Sequence, residues 1–307
     1  MLNILITGTS GFIGKNLINY LEKNNYTVFP FSKNSDLNYE LINIEYLNNN
    51  RIDVIIHLAG IAHDLKKTRN SDEYFNVNTK LTNKIFDAFK DSQSTKFIYF
   101  SSVKAVKDFV NEPLTEMEVP DPRTIYGKSK LAAEKYILSK ELAPYKQFYI
   151  LRPCMIHGPG NKGNLNLLYK TIIKGFPWPL ASFQNKKSFC SIENLFFIIN
   201  EIIDNNEIES GIYNISDDDY LSTNQLIDLI GISNNIKPIK WYINRSVIKF
   251  LALIGDILWL PFNSDNLKKL TENYIVDNEK IKKAIGKKLP LSISEGLSKT
   301  FNNFSGR

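Results

Sequence analysis

The 307-residue chain predicts an α/β fold, a doubly wound parallel sheet with a smaller, interleaved C-terminal part, and three observations lead there. Short apolar runs alternate with helical patterns through the first half. A glycine triplet, Gly8-Thr-Ser-Gly11-Phe-Ile-Gly14, lies between the first run and the first helical pattern. Further on, Tyr126 and Lys130 stand four residues apart at the start of a helix, with Ser101-Ser102 closing the strand before it.

The strands are expected at residues 3–7, 27–31, 54–58, 97–101 and 148–151, each a run of β-branched and aromatic residues with too few polar positions to face water on one side. Residues 12–24, 73–90 and 125–141 carry apolar side chains at three- and four-residue spacing and read as the crossover helices. Right-handed crossovers place the strand C-termini along one edge, where ligands bind. After Pro153 the pattern loosens into loops rich in glycine, asparagine and proline, with helices expected at 165–174, 192–204 and 223–230. Residues 211–216 read as one more strand returning to the main sheet. The expected division is therefore 1–160, rejoined by 187–218, and a second part covering mainly 161–307.

Composition narrows the function classes. A chain 43% hydrophobic and 23% charged has enough apolar residues for a core without staples. The net charge of +6 comes from scattered lysines rather than a basic stripe interleaved with aromatics, so a nucleic-acid partner is not expected. Cys154 and Cys190 lie in apolar surroundings without metal-ligand spacing, which predicts buried thiols, no metal site and a reducing cytoplasm. No secretory leader is expected, because the first seven residues already form a strand. Residues 247–262 are the one segment to weigh as a membrane element. Interrupted by Lys249, Gly255 and Asp256, they are too short to span a bilayer, which takes about 20 apolar residues, and read as a packed or interfacial helix.

The glycine triplet follows a strand and opens a helix, the context in which a backbone approaches a pyrophosphate at a helix N-terminus. The run Asp53-Val-Ile-Ile-His57-Leu58-Ala59-Gly60 supports it, a strand ending in small residues where a cofactor ring or ribose could lie close. An acidic residue after the second strand would hold the ribose hydroxyls of NAD. Here Phe31-Ser32-Lys33 stands instead, better matched to a 2'-phosphate, so the expected cofactor is NADP or NAD, with NADP favoured. Tyr126 and Lys130 share a helix face, and an ammonium there would lower the phenol's pKa and make it usable in acid-base chemistry near neutral pH.

With these motifs in place the chain resembles the extended short-chain dehydrogenase/reductases, and within them the NAD-dependent epimerase/dehydratase family in its nucleotide-sugar 4-epimerase and 4-ketoreductase branch. The resemblance covers nearly the whole chain. It rests on Gly8, Gly11 and Gly14; Asp36-Leu37; His57-Leu58-Ala59-Gly60; Asn76-Val-Asn78; Ser101-Ser102; Tyr126-x-x-x-Lys130; and Leu151-Arg152-Pro153 with Gly158-Pro-Gly160. It implies a Rossmann sheet and, by the family's pattern, Tyr126 as acid/base at the sugar's O4, Lys130 on the nicotinamide ribose and Ser102 on the same oxygen as Tyr126. Cofactor contacts are implied for Gly8, Ser10, Gly11, Phe12, Ile13, Gly14, Ser32, Lys33, Asp36, Leu37, Leu58, Ala59, Gly60, Asn76 and Pro153. Substrate contacts are implied for His63, Ser102, Lys104, Asn164, Leu165 and Lys187. Lys187 stands where arginine is usual, in Asn185-Lys-Lys187-Ser-Phe, and can supply charge but not a bidentate fork. For a second diphosphate-binding arginine only Arg245 offers itself, and Trp178 is either a uracil-pocket wall or a packing anchor.

A dehydratase of this family carries an Asp-Glu pair after the catalytic hydroxyl. Val103 and Lys104 occupy those positions, so dehydration is disfavoured. The expectation is a UDP-4-keto-6-deoxy-N-acetylhexosamine 4-reductase of surface-polysaccharide biosynthesis, with a UDP-glucose or UDP-N-acetylglucosamine 4-epimerase as the alternative. A non-catalytic nucleotide-binding regulator is a distant third, since it predicts loss of the Ser102, Tyr126 and Lys130 set that is present. The resemblance further implies a homodimer joined through residues 73–90 and 125–141.

Overall fold

A computed structural model describes residues 1–32, 39–61, 70–110, 112–161, 163–260 and 262–305. Six parallel strands form the main sheet: β1 (Asn3–Thr7), β2 (Thr27–Phe31), β3 (Val54–His57), β4 (Lys96–Phe100), β5 (Gln147–Pro153) and β8 (Gly211–Ile215). Their order is β2-β1-β3-β4-β5-β8. The chain steps outward from β1 to β2, then crosses back to β3 on the other side of β1. Between β1 and β3 the winding reverses, which opens a crevice at the strand C-termini.

The pleat divides the core. Ile4, Ile6, Val54, Ile56, Ile98 and Phe100 point to one face and pack against α1 (Phe12–Lys23), α7 (Ile192–Asp204) and α11 (Glu279–Ile285). Leu5, Ile55, Phe97, Tyr99 and Ile150 point to the other, against α2 (Ile44–Asn49), α4 (Leu81–Asp91) and α5 (Ile125–Leu138). Every residue of β3 and β4 is buried, which explains their unbroken apolar runs. The expected strand at 211–216 forms as β8 and pairs parallel with β5.

Two details differ from expectation. The helix at 73–90 begins earlier, at α3 (Ser71–Phe75) capped by Asn70, and passes through a π turn at Asn76–Lys80 before α4. The helix at 125–141 stops at Leu138, with Ser139 as its C-cap. The C-terminal part has its own core, built from α6 (Asn164–Ile173), α8 (Thr223–Asn234), α9 (Arg245–Ile257), α10 (Ser264–Thr271) and α12 (Ile293–Phe304). A second, three-stranded sheet, β6 (Met155–His157), β7 (Lys187–Ser191) and β9 (Tyr220–Leu221), borders it.

Candidate active site

The crevice between β1 and β3 is shaped by glycines. Gly8 turns out of β1 with φ of +74°, and a Cβ there would sit 2.7 Å from the Ala59 amide nitrogen. A Cβ on Gly14 would meet the Gly8 carbonyl oxygen at 2.5 Å. Gly11 caps α1 without a side-chain hydrogen bond, and the first turn carries no acid, so the leading N–H groups of a 12-residue helix are open to an anion. That fits the pyrophosphate of a dinucleotide. Residues 8–14 thus form the turn and first helical turn expected to meet the cofactor, with Leu58 and Ala59 against Gly8 and Gly60 following them after β3. Ser32 follows β2, whose last carbonyl, on Phe31, accepts from Thr9 Oγ1 at 3.0 Å. Pro153 ends β5, buried. Lys33, Asp36, Leu37 and His63 lie outside the described residues.

One strand further along the edge, Ser102 and Tyr126 are hydrogen-bonded through their hydroxyls. Ser102 is fixed as the cap of a 3-10 turn at Val103–Ala105, accepting from the Lys104 amide at 3.2 Å. Tyr126 begins α5, which Thr124 caps by accepting from the Gly127 amide at 3.1 Å. One turn on, the Lys130 ammonium donates to the Phe100 carbonyl at 2.7 Å and lies 4.8 Å from the centre of the Tyr99 ring. A Cβ on Gly60 would come within 3.0 Å of Lys130 Nζ and 3.1 Å of Asn78 Oδ1, so only glycine leaves that approach open.

The electrostatics depart from the sequence expectation. Burial pushes the Tyr126 phenol up, opposed by its hydrogen bond with Ser102. Lys130 is not among the groups that shift the phenol, and burial brings the lysine itself down to about 7, with Glu134 pulling the other way. The phenol is accordingly held protonated at neutral pH. His57, fully buried below the crevice, is brought down to about 3 by burial and by Lys130, and bonds Thr7 and Thr82 at 2.7 and 2.9 Å. It is a neutral core histidine.

Two groups were not singled out as site residues from sequence. Asn78, in the π turn, accepts from the Ile61 amide at 2.7 Å and donates to the Ile61 carbonyl and Ser129 Oγ, which in turn donates to the Tyr126 carbonyl. This chain fixes the loop after β3 against the tyrosine's own turn. Asn76, the residue singled out, is exposed two positions earlier. Glu134, one turn beyond Lys130, takes Arg152 Nε at 3.0 Å and Nη2 at 2.5 Å, with Ser101 on the same carboxylate. Their spacing on the Tyr126–Lys130 face was the available signal.

Lys104 and Lys187, both expected at the substrate, act electrostatically on the Glu272 carboxylate. Each ammonium pulls Glu272 down against the upward push of burial, and burial lowers both lysines. Lys104 donates to the Asp108 carbonyl at 2.7 Å and lies over the Tyr274 ring, and Lys187 donates to the Lys269 carbonyl at 2.7 Å. Asn164 is exposed at the start of α6, whereas the Leu165 side chain is packed into the C-terminal core, leaving its amide as the group that could meet a ligand. Trp178 is buried in that same core as a packing anchor, and Arg245 is occupied by the Ser182 carbonyl and the Phe183 ring. Cys154 and Cys190 are free thiols that burial pushes well up, and the described residues include no cluster able to hold a metal ion.

A sheet that reverses at a glycine-lined crevice, with a serine, a protonated tyrosine and a lysine along its rim, defines an enzyme that uses a nicotinamide dinucleotide. The chain belongs to the NAD dependent epimerase/dehydratase family, whose model matches residues 4–216. It is similar to the UDP-glucose 4-epimerase of Vibrio cholerae, 30% identical over 98% of this chain and 95% of that protein. It is also 26% identical to the N-acetyl-alpha-D-glucosaminyl-diphospho-ditrans,octacis-undecaprenol 4-epimerase of Escherichia coli O157:H7, over 97% of this chain and 94% of the relative. The crystal structure of UDP-N-acetylglucosamine 4-epimerase from Bacillus cereus shares the fold across the full length of both chains, with a TM-score of 0.77 at 20% identity. The protein is thus an NAD(P)-dependent enzyme of a family that includes nucleotide-sugar epimerases and reductases.

Proposed function

We propose that the protein reduces the C4 ketone of a UDP-4-keto-6-deoxy-N-acetylhexosamine, with NADP(H) as the preferred cofactor, in surface-polysaccharide biosynthesis. The observation that carries this reading is the Tyr126 phenol, hydrogen-bonded to Ser102 and held protonated by burial. A ketone accepting hydride at carbon needs a proton at oxygen, and a protonated phenol supplies it. The bound nicotinamide supplies the hydride. Ser102 holds the same oxygen, Lys130 contacts the nicotinamide ribose and stabilises the phenolate left behind, and Asn78 keeps Tyr126 in register through Ser129. Lys104, Lys187, Asn164 and the Leu165 amide hold the substrate's diphosphate side, with His63 at the sugar.

The positions after Ser102 argue against dehydration. Val103 is packed among Val106, Leu114, Tyr274 and Val276, and Lys104 is tied to Asp108, so no carboxylate pair stands beside the catalytic hydroxyls. The cofactor contacts assigned by sequence, from Gly8 to Pro153, fall in residues 1–160, which we take with 187–218 as the cofactor-binding part. The remainder of 161–307 binds the nucleotide sugar. We further propose a cytoplasmic homodimer joined through α3, α4 and α5. The alternative, a UDP-hexose or UDP-N-acetylhexosamine 4-epimerase with resident NAD, is favoured by the named activities of the two near-full-length relatives. Incubation with the 4-keto-6-deoxy sugar plus NADPH, and separately with UDP-N-acetylglucosamine alone, separates the two by product NMR. Conversion of the second without added cofactor, and none of the first, would overturn the reductase.

A further inference from the structure

Among the described residues, an exposed apolar surface with no assigned role lies on α9 and the turn after it. Only one stripe of this helix, Ile248, Ala252 and Gly255, faces the core. Besides the polar Arg245, Ser246, Lys249 and Asp256, the outer side is apolar and open to solvent: Phe250 is 63% exposed, Ile257 75% and Trp259 94%, and Leu251, Leu253 and Leu258 are exposed beside them. Single exposed apolar residues are ordinary, but a contiguous face of this size marks a contact surface.

The turn is built, not frayed. The Leu260 amide donates to the Gly255 carbonyl at 2.9 Å, closing the helix with Trp259 in the left-handed conformation, φ +56°. Glycine is favoured at that position, and a bulky side chain there is strained. The Gly255 Cα is so close to the Phe262 carbonyl that an added Cβ would sit 1.8 Å from it, which locks the turn onto the helix. The fold therefore holds an indole out into solvent at a conformational cost, at the tip of an apolar helix.

Charge identifies what covers the face. Residues 237–271 carry six lysines and arginines against two aspartates; Lys240 is paired with Asp228 at 2.6 Å and Arg245 bonds the Ser182 carbonyl, so the charge facing solvent rests on the other lysines. Lys249 is exposed on α9 itself, and Lys268 and Lys269 stand on α10, which packs beside it. The acid on α9, Asp256, stays ionised, because the Ser264 amide donates to it at 2.9 Å and holds its carboxyl below the usual carboxylate range. An apolar helix face flanked by cations, with tryptophan at its edge and the exposed Trp241 and Tyr242 just before it, matches the headgroup region of an anionic bilayer. At about 1.5 Å per residue the 13-residue helix is too short to cross, and among the described residues no helix is long and apolar enough to do so.

We propose that α9 and its closing turn seat the protein on an anionic lipid surface, lying in the interface with Phe250, Ile257 and Trp259 inserted and the lysines at the phosphates. Lys187, on the substrate side, bonds the carbonyl of Lys269 on α10, so docking brings the substrate entrance within one helix of the membrane. The test is co-sedimentation of the full chain with vesicles of phosphatidylglycerol and phosphatidylethanolamine, against vesicles of phosphatidylcholine alone. The wild type is expected to sediment with the anionic vesicles at least about tenfold more strongly, and less so as salt rises. Trp259→Gly, which relieves the left-handed strain and so keeps the fold, combined with Phe250→Ser, is expected to abolish binding with turnover on a soluble nucleotide sugar unchanged. No sedimentation of the wild type with either vesicle, or undiminished binding by the double variant, would overturn the proposal. So would a wild-type dimer that fails to bind vesicles and dissociates in the double variant, since that assigns the face to a second copy.

Discussion

Replacing Glu134 by glutamine tests the electrostatic frame that holds the active-site helix. Glu134 is fully buried and Arg152 is 2% exposed, with the guanidinium held through Nε and Nη2. The third nitrogen, Nη1, has no hydrogen-bond partner among the described residues, so the arginine has no second acceptor to turn to. Glutamine keeps the shape and one acceptor oxygen but sets an NH2 against the guanidinium and leaves a buried positive charge uncompensated. Breaking a buried pair from one side costs about 3–5 kcal/mol, and the retained acceptor places Glu134→Gln near the lower end. Chemical denaturation monitored by circular dichroism measures it. In the double variant Glu134→Gln/Arg152→Met the stranded charge is gone, and the loss is expected to be smaller than the sum of the single losses by about 1.5 kcal/mol or more. A Glu134→Gln loss under about 1 kcal/mol, or additive losses, would refute the reasoning.

Three other outcomes follow from the geometry. Gly14→Ala drives a methyl to 2.5 Å from the Gly8 carbonyl and is expected to weaken dinucleotide binding at least tenfold in calorimetry while the sheet's circular dichroism persists. Asn78→Ala removes the link between Ile61 and Ser129 and is expected to lower kcat and to destabilise by about 1–3 kcal/mol, the cost of stranding buried amide partners. Lys130 has its folded pKa lowered from 10.5 to about 7, so between those values the unfolded chain holds a proton that the folded one lacks. Stability from this group therefore rises with pH across that window, and below about pH 7 its penalty is complete. Relative to Lys130→Met, in which this dependence is absent, the wild type should gain up to about 1.4 kcal/mol per pH unit between pH 7.5 and 9.5. A flat difference would contradict the burial of the ammonium.

Much of the frame could be read from local pattern. Gly8 follows Thr7 directly, so the glycine triplet marked both the end of β1 and the start of α1, and the four-residue spacing of Tyr126 and Lys130 placed both on one face of α5. Ser102 fell into place because a strand ending in hydroxyls must deliver them to the sheet's C-terminal edge. What escaped were features set by tertiary context. Glu134 and Arg152 look like surface residues in a sequence, and only the packing of α5 across β5 buries them as a pair. Asn78 rather than Asn76 is buried because it lies four residues from both Tyr74 and Thr82, on the helix's buried face, a spacing the sequence did carry. The direction of the Tyr126 shift was misjudged because spacing shows that a lysine is near, but not that burial raises the phenol and lowers the lysine together. In the C-terminal part, β9 has only two residues and offered no period to read.

The central claim, that Ser102 and a protonated Tyr126 deliver the proton that accompanies hydride transfer to a nucleotide-linked ketosugar, is tested most directly with deuterated cofactor. Wild-type protein given the UDP-4-keto-6-deoxy-N-acetylhexosamine and NADPH deuterated at its transferable position should place deuterium at C4, read by NMR. Tyr126→Phe should lower that transfer by about 10²- to 10⁴-fold while binding NADPH with nearly unchanged affinity. Wild-type deuterium transfer that persists at full rate in Tyr126→Phe would contradict the account.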